Sequence, residues 1–201
     1  MNPKLIVEQK ITPFVNKYAV YMTTPSGDKD QLVAFAQQKR LAFKEKVIFY
    51  SDKQKTQPAF TFRAEKVFDV HGKYIVEDLQ GNRIGSFRKE FKASLLKSTW
   101  HILDTHDQPQ FTIAENSLTL ALFRRFVGFL PVIGDFAEII VLFFRYHFAL
   151  TNTAGQAIGK YEKITLFRDH YKLSITDDAF SQQDWRVFAA MAVALDALQS
   201  R

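Results

Sequence analysis

The 201-residue sequence contains no cysteine, and this absence excludes several kinds of site at once. Without cysteine there is no disulfide framework, no thiolate zinc site and no cysteine nucleophile, which is compatible with a reducing compartment. The first ten residues contain an apolar run only at positions 5–7, too short for the hydrophobic region of a signal peptide. We therefore expect a cytoplasmic protein.

Long apolar runs without charge are also scarce. Residues 118–144 are rich in Phe, Leu, Val and Ile, but four charged side chains interrupt them, those of Arg124, Arg125, Asp135 and Glu138. A transmembrane helix needs about 20 mostly apolar residues, so a simple membrane span is disfavoured. Because Pro131 and Gly134 divide the stretch, we predict a packed helical insertion at residues 116–144, hinged at these two positions.

Apolar side chains are nevertheless plentiful, at 47% hydrophobic and 14% aromatic residues with 20 Phe. This composition excludes a disordered chain and suits one large core, so we predict a single domain over residues 1–201. Basic residues outnumber acidic ones, giving a net charge of +6 and a pI near 9.4. That excess suits an anionic partner, or equally a solvated basic surface.

Short runs of β-branched and aromatic residues recur about every ten positions, separated by Gly, Asp, Asn or Pro, as in an antiparallel meander. We predict twelve strands, at residues 5–11, 17–23, 31–37, 43–50, 59–65, 73–77, 83–89, 98–103, 110–113, 145–150, 157–163 and 171–175. Residues 74–89 also align without gaps on residues 148–163. Each copy has glycine in its turn, which indicates one hairpin used twice.

The C-terminal segment predicts a helix of a different kind. Ser181 and Asp184 have the spacing of a helix start, and every residue from Val187 to Leu195 is apolar. A helix without a polar face must be enclosed, so we expect a thin helix threaded through a barrel. The side chains predicted to be buried are those of Val187, Phe188, Met191, Val193, Leu195 and Leu198.

Four segments, in this order along the chain, resemble the LURP-one-related branch of the phospholipid scramblase/Tubby C-terminal-like superfamily. They are residues 5–10 (LIVEQK), 73–85 (KYIVEDLQGNRIG), 100–104 (WHILD) and 184–186 (DWR) ahead of the apolar helix. The resemblance covers nearly the whole chain. It implies a mainly β fold, a twelve-stranded closed antiparallel barrel around a buried hydrophobic C-terminal helix.

The departures from this pattern bear on activity. The resemblance to scramblases would imply a Cys-rich or palmitoylated region and a Pro-rich N-terminal arm, and the chain has neither. It would also imply an acidic calcium segment before the last helix, where the chain offers only Asp177 and Asp178. Two adjacent acids are not a spaced set of oxygen ligands, so the resemblance alone does not carry scramblase activity over to this chain.

A cluster of histidine and aspartate is the best candidate for a metal or acid–base site. It comprises His101, Asp104, His106 and Asp107. On a strand, His101 and Asp104 would point to opposite faces, and residues 104–109 have the composition of a polar turn. We therefore predict a turn here, with no metal site. No catalytic elbow or phosphate cradle is recognisable either, so we predict a protein that is not an enzyme and uses no cofactor.

Basic residues supply the candidate binding surface. Arg83, Arg88, Lys89, Lys92 and Lys97 follow one another with only Glu90 opposing them, and could form a stripe for anions or lipid headgroups. The alternative is a solvated strand edge. Arg124 and Arg125 extend the anion-binding prediction. Beside them Phe126, Phe129 and Leu130 would form a membrane tip, unless the insertion packs on the barrel.

The leading functional hypothesis is a non-enzymatic binding module that associates with anionic phospholipid at a membrane surface. Scramblase-like lipid handling and transcription-linked nucleic-acid binding stay open as alternatives, both by analogy with relatives of the same fold. The sequence does not indicate a protein partner.

Overall fold

Alternation of apolar and polar side chains produces twelve strands, as in the segment Lys73–Glu77, where Tyr74 and Val76 point inward. The computed structural model describes residues 1–39, 46–65, 72–90, 99–115, 147–164 and 170–199. The strands are β1 (Asn2–Ile11), β2 (Val15–Thr23), β3 (Lys29–Lys39), β4 (Val47–Tyr50), β5 (Pro58–Ala64), β6 (Lys73–Glu77), β7 (Arg83–Glu90), β8 (Thr99–Leu103), β9 (Pro109–Glu115), β10 (His147–Asn152), β11 (Ala157–Lys163) and β12 (His170–Ile175).

Each strand pairs antiparallel with its sequence neighbours, and β1 closes the ring by pairing with β12. Leu5 lies opposite Met22 of β2 on one side and opposite Leu173 of β12 on the other. The predicted twelve-stranded closed barrel is therefore confirmed. We call the end that carries the β2–β3 and β6–β7 hairpins the upper end, and the end that carries the β1–β2 hairpin the lower end.

Two helices follow β12 at the upper end, α1 (Asp177–Gln182) and α2 (Trp185–Gln199). Thr176 caps α1, because its hydroxyl accepts the amide hydrogen of Ala179. Asp184 precedes α2 and accepts the Arg186 amide hydrogen at 2.9 Å. The prediction that Ser181 starts the long helix is wrong, since its hydroxyl donates instead to the Asp178 carbonyl within α1. Neither described helix has the length and apolar character that crossing a bilayer requires.

Helix α2 fills the barrel axis. Val187, Phe188, Met191, Val193 and Leu195 are buried, as predicted, and the side chain of Leu198 lies outside the described residues. The phenol of Tyr161 donates to the Phe188 carbonyl oxygen at 2.7 Å, which ties β11 to the helix. Trp100 is also buried, and Trp185 packs edge-on against Phe60.

Glycine lets the helix approach the sheet. A Cβ atom on Gly85 would lie 2.8 Å from Cγ2 of Val187 and 2.8 Å from Nε2 of Gln183, which is too close for either contact. Gly159, its counterpart in the internal repeat, instead faces the backbone of β12, where a Cβ would lie 2.5 Å from the Ser174 carbonyl oxygen. The glycine of each Ile-Gly pair, Ile84-Gly85 and Ile158-Gly159, thus allows close packing, in the first against α2 and in the second against β12.

Four hairpins at the upper end share one geometry. In each, the first turn residue is Thr, Asp or Asn, its backbone amide donates to the carbonyl oxygen four positions later, its side chain accepts a backbone amide hydrogen, and the residue three positions later has positive φ. The longer β4–β5 loop shares only the last two features, at Asp52 and Lys55, whose φ is 64°. Glycine occupies that later position in three of them, Gly27, Gly81 and Gly155, with φ of 87, 84 and 76°. In the fourth it is Asp107, with φ of 66°. The predicted repeated hairpin therefore recurs twice more.

Candidate functional site

The histidine–aspartate cluster divides between a turn and a strand. The Asp104 carboxylate accepts amide hydrogens from Gln108 at 2.9 Å and His106 at 2.8 Å, and these bonds lower the pKa of Asp104. The predicted turn is confirmed, and it ends at Gln108 because Pro109 begins β9.

Asp107 makes this turn an ion-pair site. Its carboxylate accepts from the Arg83 guanidinium and from the Lys73 ammonium, which lies 2.9 Å away. Lys73 also pairs with Glu65 at 3.0 Å, and Arg83 donates to the Ser86 hydroxyl at 2.7 Å. The hydrogen bond from Arg83, followed by that from Lys73, holds the pKa of Asp107 well below its usual range. Arg83 is therefore already neutralised.

His101 makes local hydrogen bonds on the outer face of the barrel. Its Nδ1 lies 3.2 Å from the Thr112 hydroxyl and its Nε2 lies 3.0 Å from the Glu90 carboxylate. His106 is turned away and contacts the Thr105 hydroxyl. Across the described ranges no three His, Asp or Glu side chains converge as metal ligands would.

The predicted basic stripe is not continuous over its described members. Arg88 is exposed on the outer face, while Lys89, its chain neighbour, points the other way and stands 5.8 Å above the Trp100 ring. Arg83 is held by Asp107. The other predicted site residues, Lys92, Lys97, Arg124, Arg125, Phe126, Phe129 and Leu130, lie outside the described residues, as does the insertion at 116–144.

A second basic surface lies on the outer face of β1, β2 and β3. Lys10 of β1 is directly opposite Lys17 of β2, and Lys17 is opposite Gln37 of β3. Adjacent strands are about 4.8 Å apart, so these three positions form one row about 10 Å long. The residue 51–57 loop places Lys55 at the end of this row, where its ammonium donates to Oε1 of Gln37 at 3.1 Å.

The same loop brings another cation to Tyr21. Lys53 lies 5.5 Å from the Tyr21 ring centroid, and Lys29 lies 4.6 Å from it. Lys29 also pairs with Glu8 at 2.7 Å, a contact that raises the pKa of the ammonium. We call Lys10, Lys17, Lys53 and Lys55 the lysine face. Over the described part of the chain, no carboxylate is within salt-bridge distance of any of the four.

Two of the four residues of the lysine face, Lys10 and Lys17, could have been placed together from the sequence. The strands predicted at 5–11 and 17–23 flank a short turn, and a tight hairpin there places Lys10 opposite Lys17. The contribution of Lys53 and Lys55 depends on the loop folding back over β3, which local patterning does not encode.

The acidic pair before the last helix lines a small open pocket at the upper end, with Met1, Asn2 and Thr176 and a volume of about 270 Å³. Asp177 is paired there with Lys4, a contact that lowers the pKa of its carboxyl. This arrangement is an ion pair at a helix start.

Comparison with known families supplies one match over most of the chain. The family model described as LURP-one-related matches residues 32–196. This span includes β4 to β12 and α1 complete, and most of β3 and of α2. Comparison with curated protein sequences gives no match.

Proposed function

Because the chain belongs to the LURP-one-related family, within the Tubby-like C-terminal superfamily, we propose that it is a non-catalytic binding module whose ligand is an anionic phospholipid surface. The observation that carries this proposal is the lysine face. Four ammonium groups there lack carboxylate partners within the described residues, whereas Arg83 and Lys73, on the far side of the barrel, are neutralised by Asp107 and Glu65.

The register of β1 and β2 gives further support to an anionic ligand at the lysine face. Like charges directly opposite one another on a sheet destabilise it, yet Lys10 and Lys17 occupy opposite positions. An anionic surface would neutralise both charges together. Juxtamembrane basic residues contribute about 1 kcal/mol each to association with anionic leaflets, and the attraction falls off within a Debye length.

The flat geometry of the lysine face favours a surface over a small ligand. Lys10, Lys17 and Lys55 lie along a row of about 10 Å on the outside of the barrel, with Lys53 beside Tyr21. The predicted cations Arg88, Lys92, Lys97, Arg124 and Arg125 stay candidates for additional headgroup contacts.

Vesicle co-sedimentation tests this proposal. Wild-type protein should sediment with vesicles containing phosphatidylserine at low salt, less with neutral phosphatidylcholine vesicles, and less as salt rises. The double change Lys10→Ala, Lys17→Ala should weaken binding about thirtyfold, from about 2 kcal/mol for two basic residues.

A matched control variant removes two positive charges outside the lysine face. Arg63→Ala with Lys160→Ala changes two cations on β5 and β11, which pair with Glu77 and Glu162. This variant should bind vesicles like wild type. Wild-type protein that ignores anionic vesicles at low salt contradicts the proposal, and salt-sensitive binding to duplex DNA in their place would favour the nucleic-acid alternative.

A further inference from the structure

The tip of the β1–β2 hairpin exposes a large aromatic side chain. Phe14 is 84% exposed, the most exposed large apolar side chain among the described residues. It follows Pro13 in a short turn that is closed by Thr12, whose amide donates to the Val15 carbonyl oxygen at 3.0 Å and whose hydroxyl donates to the same oxygen at 2.6 Å. These two hydrogen bonds fix the backbone of the turn, so Phe14 lies at the tip of the hairpin.

Phe14 stands ahead of the paired lysines. Lys10 and Lys17 are two register rows from the pair formed by Thr12 and Val15, which is about 7 Å along strands that rise about 3.4 Å per residue. Interfacial apolar groups penetrate about 5–10 Å into the boundary between headgroups and acyl chains. When Phe14 reaches that boundary, Lys10 and Lys17 are at the depth of the phosphates.

Other features at the lower end are consistent with this orientation. Ile164, just after β11, is 38% exposed, and Lys46, just before β4, is exposed. Single exposed apolar residues are ordinary on protein surfaces, but here the apolar tip lies next to Lys10 and Lys17, which have no carboxylate partner among the described residues.

We propose that the lower end of the barrel faces the membrane, with Phe14 inserted at the interface between headgroups and acyl chains and Lys10 and Lys17 on anionic headgroups. This inference rests on the proposed function, since it names the element that enters the anionic lipid surface. A membrane is favoured over a protein partner because the basic charge suits anionic headgroups, and because the spacing of about 7 Å along the strands, somewhat less along the tilted barrel axis, falls in the range of interfacial insertion.

The upper end offers a matched control. Leu79 is 55% exposed at the tip of the β6–β7 hairpin, at the opposite end of the barrel. Phe14→Ser should lower partitioning onto phosphatidylserine vesicles by roughly tenfold to a hundredfold, the range expected when one aromatic side chain is no longer buried. The loss should persist at high salt, and Leu79→Ser should bind like wild type.

A spectroscopic measurement reports insertion directly. The Trp emission of Phe14→Trp should shift to the blue on adding phosphatidylserine vesicles and be quenched by brominated acyl chains, while the wild-type emission, from Trp100 and Trp185, changes little. Wild-type binding that Phe14→Ser leaves intact, or a Phe14→Trp emission unaffected by bound vesicles, overturns the insertion and leaves the anionic-surface function standing. Wild-type protein that does not bind anionic vesicles overturns both.

Discussion

Asp107 combines two opposing contributions to stability. Its φ of 66° lies in the left-handed region, where the three equivalent hairpins have glycine, and a non-glycine residue there costs about 1 kcal/mol. Against this cost, its carboxylate accepts from Arg83 and Lys73. Hydrogen bonds to charged groups contribute about 1.5–3 kcal/mol. Because the Asp107 side chain is 44% exposed, solvent screening lowers our value to about 1–2 kcal/mol.

Two substitutions separate these contributions. Asp107→Asn keeps a residue that tolerates positive φ and removes the charge, so we expect a loss of about 1–2 kcal/mol in the free energy of unfolding. Asp107→Gly removes the same charge but relieves the backbone, so its loss should be about 1 kcal/mol smaller. Urea denaturation followed by tryptophan fluorescence measures both values. The expected order of stability is wild type, then Gly, then Asn.

The pH dependence identifies the charge as the cause. Arg83 and Lys73 hold the pKa of Asp107 below that of an unfolded aspartate, which is about 3.9. Its stabilisation is therefore complete above about pH 5 and is lost as pH falls from there toward the lower, folded pKa. The difference between wild type and Asp107→Asn should shrink over that range. A difference that does not change with pH, or a Gly variant less stable than the Asn variant, would refute this account.

Two further predictions concern the contacts of α2. Gly85→Ala should lower the free energy of unfolding by about 1–3 kcal/mol, because the new Cβ would lie 2.8 Å from Cγ2 of Val187. The midpoint of thermal unfolding should then fall by about 2–4 °C for each kcal/mol. An unchanged midpoint would mean that the helix can move aside. Tyr161→Phe should lower the free energy of unfolding by about 1 kcal/mol, because the Phe188 carbonyl oxygen loses the 2.7 Å hydrogen bond from the phenol. If the variant is as stable as wild type in urea denaturation, this bond makes no net contribution.

Much of the barrel could be predicted from local patterning. Strand β6 was expected at residues 73–77 and occupies Lys73–Glu77, because Tyr74 and Val76 alternate with polar neighbours. The enclosed helix followed from the unbroken apolar run after Arg186, since no face of it could meet water. These patterns are easy to recognise because every second residue of a strand is buried and therefore apolar, and because this helix is buried on all sides.

What the sequence could not supply depends on contacts distant along the chain. The Ser-x-x-acid spacing predicts that the long helix starts at Ser181, but Asp184 is an equally good cap residue, and local spacing does not distinguish the two. Asp107 was expected only as a turn residue, since its partners Arg83 and Lys73 lie 24 and 34 positions away. The predicted stripe likewise assumed that neighbouring cations share a face, whereas Arg88 and Lys89 point to opposite sides of β7.

Because α2 fills the interior of the barrel, a ligand would bind on the outside. Barrels with room inside can bind small ligands there, but α2 places Val187, Phe188 and Met191 on the axis of this one, fully buried. The upper hairpins satisfy their own backbone groups through Thr24, Asp78, Asp104 and Asn152. At the lower end, an exposed Phe14 and the opposed Lys10 and Lys17 are each unfavourable in water, and the anionic lipid interface that we propose would cover all three. Leu79 is also exposed at the upper end, but the pair of opposed lysines lies next to Phe14, and this combination is what supports the proposed orientation.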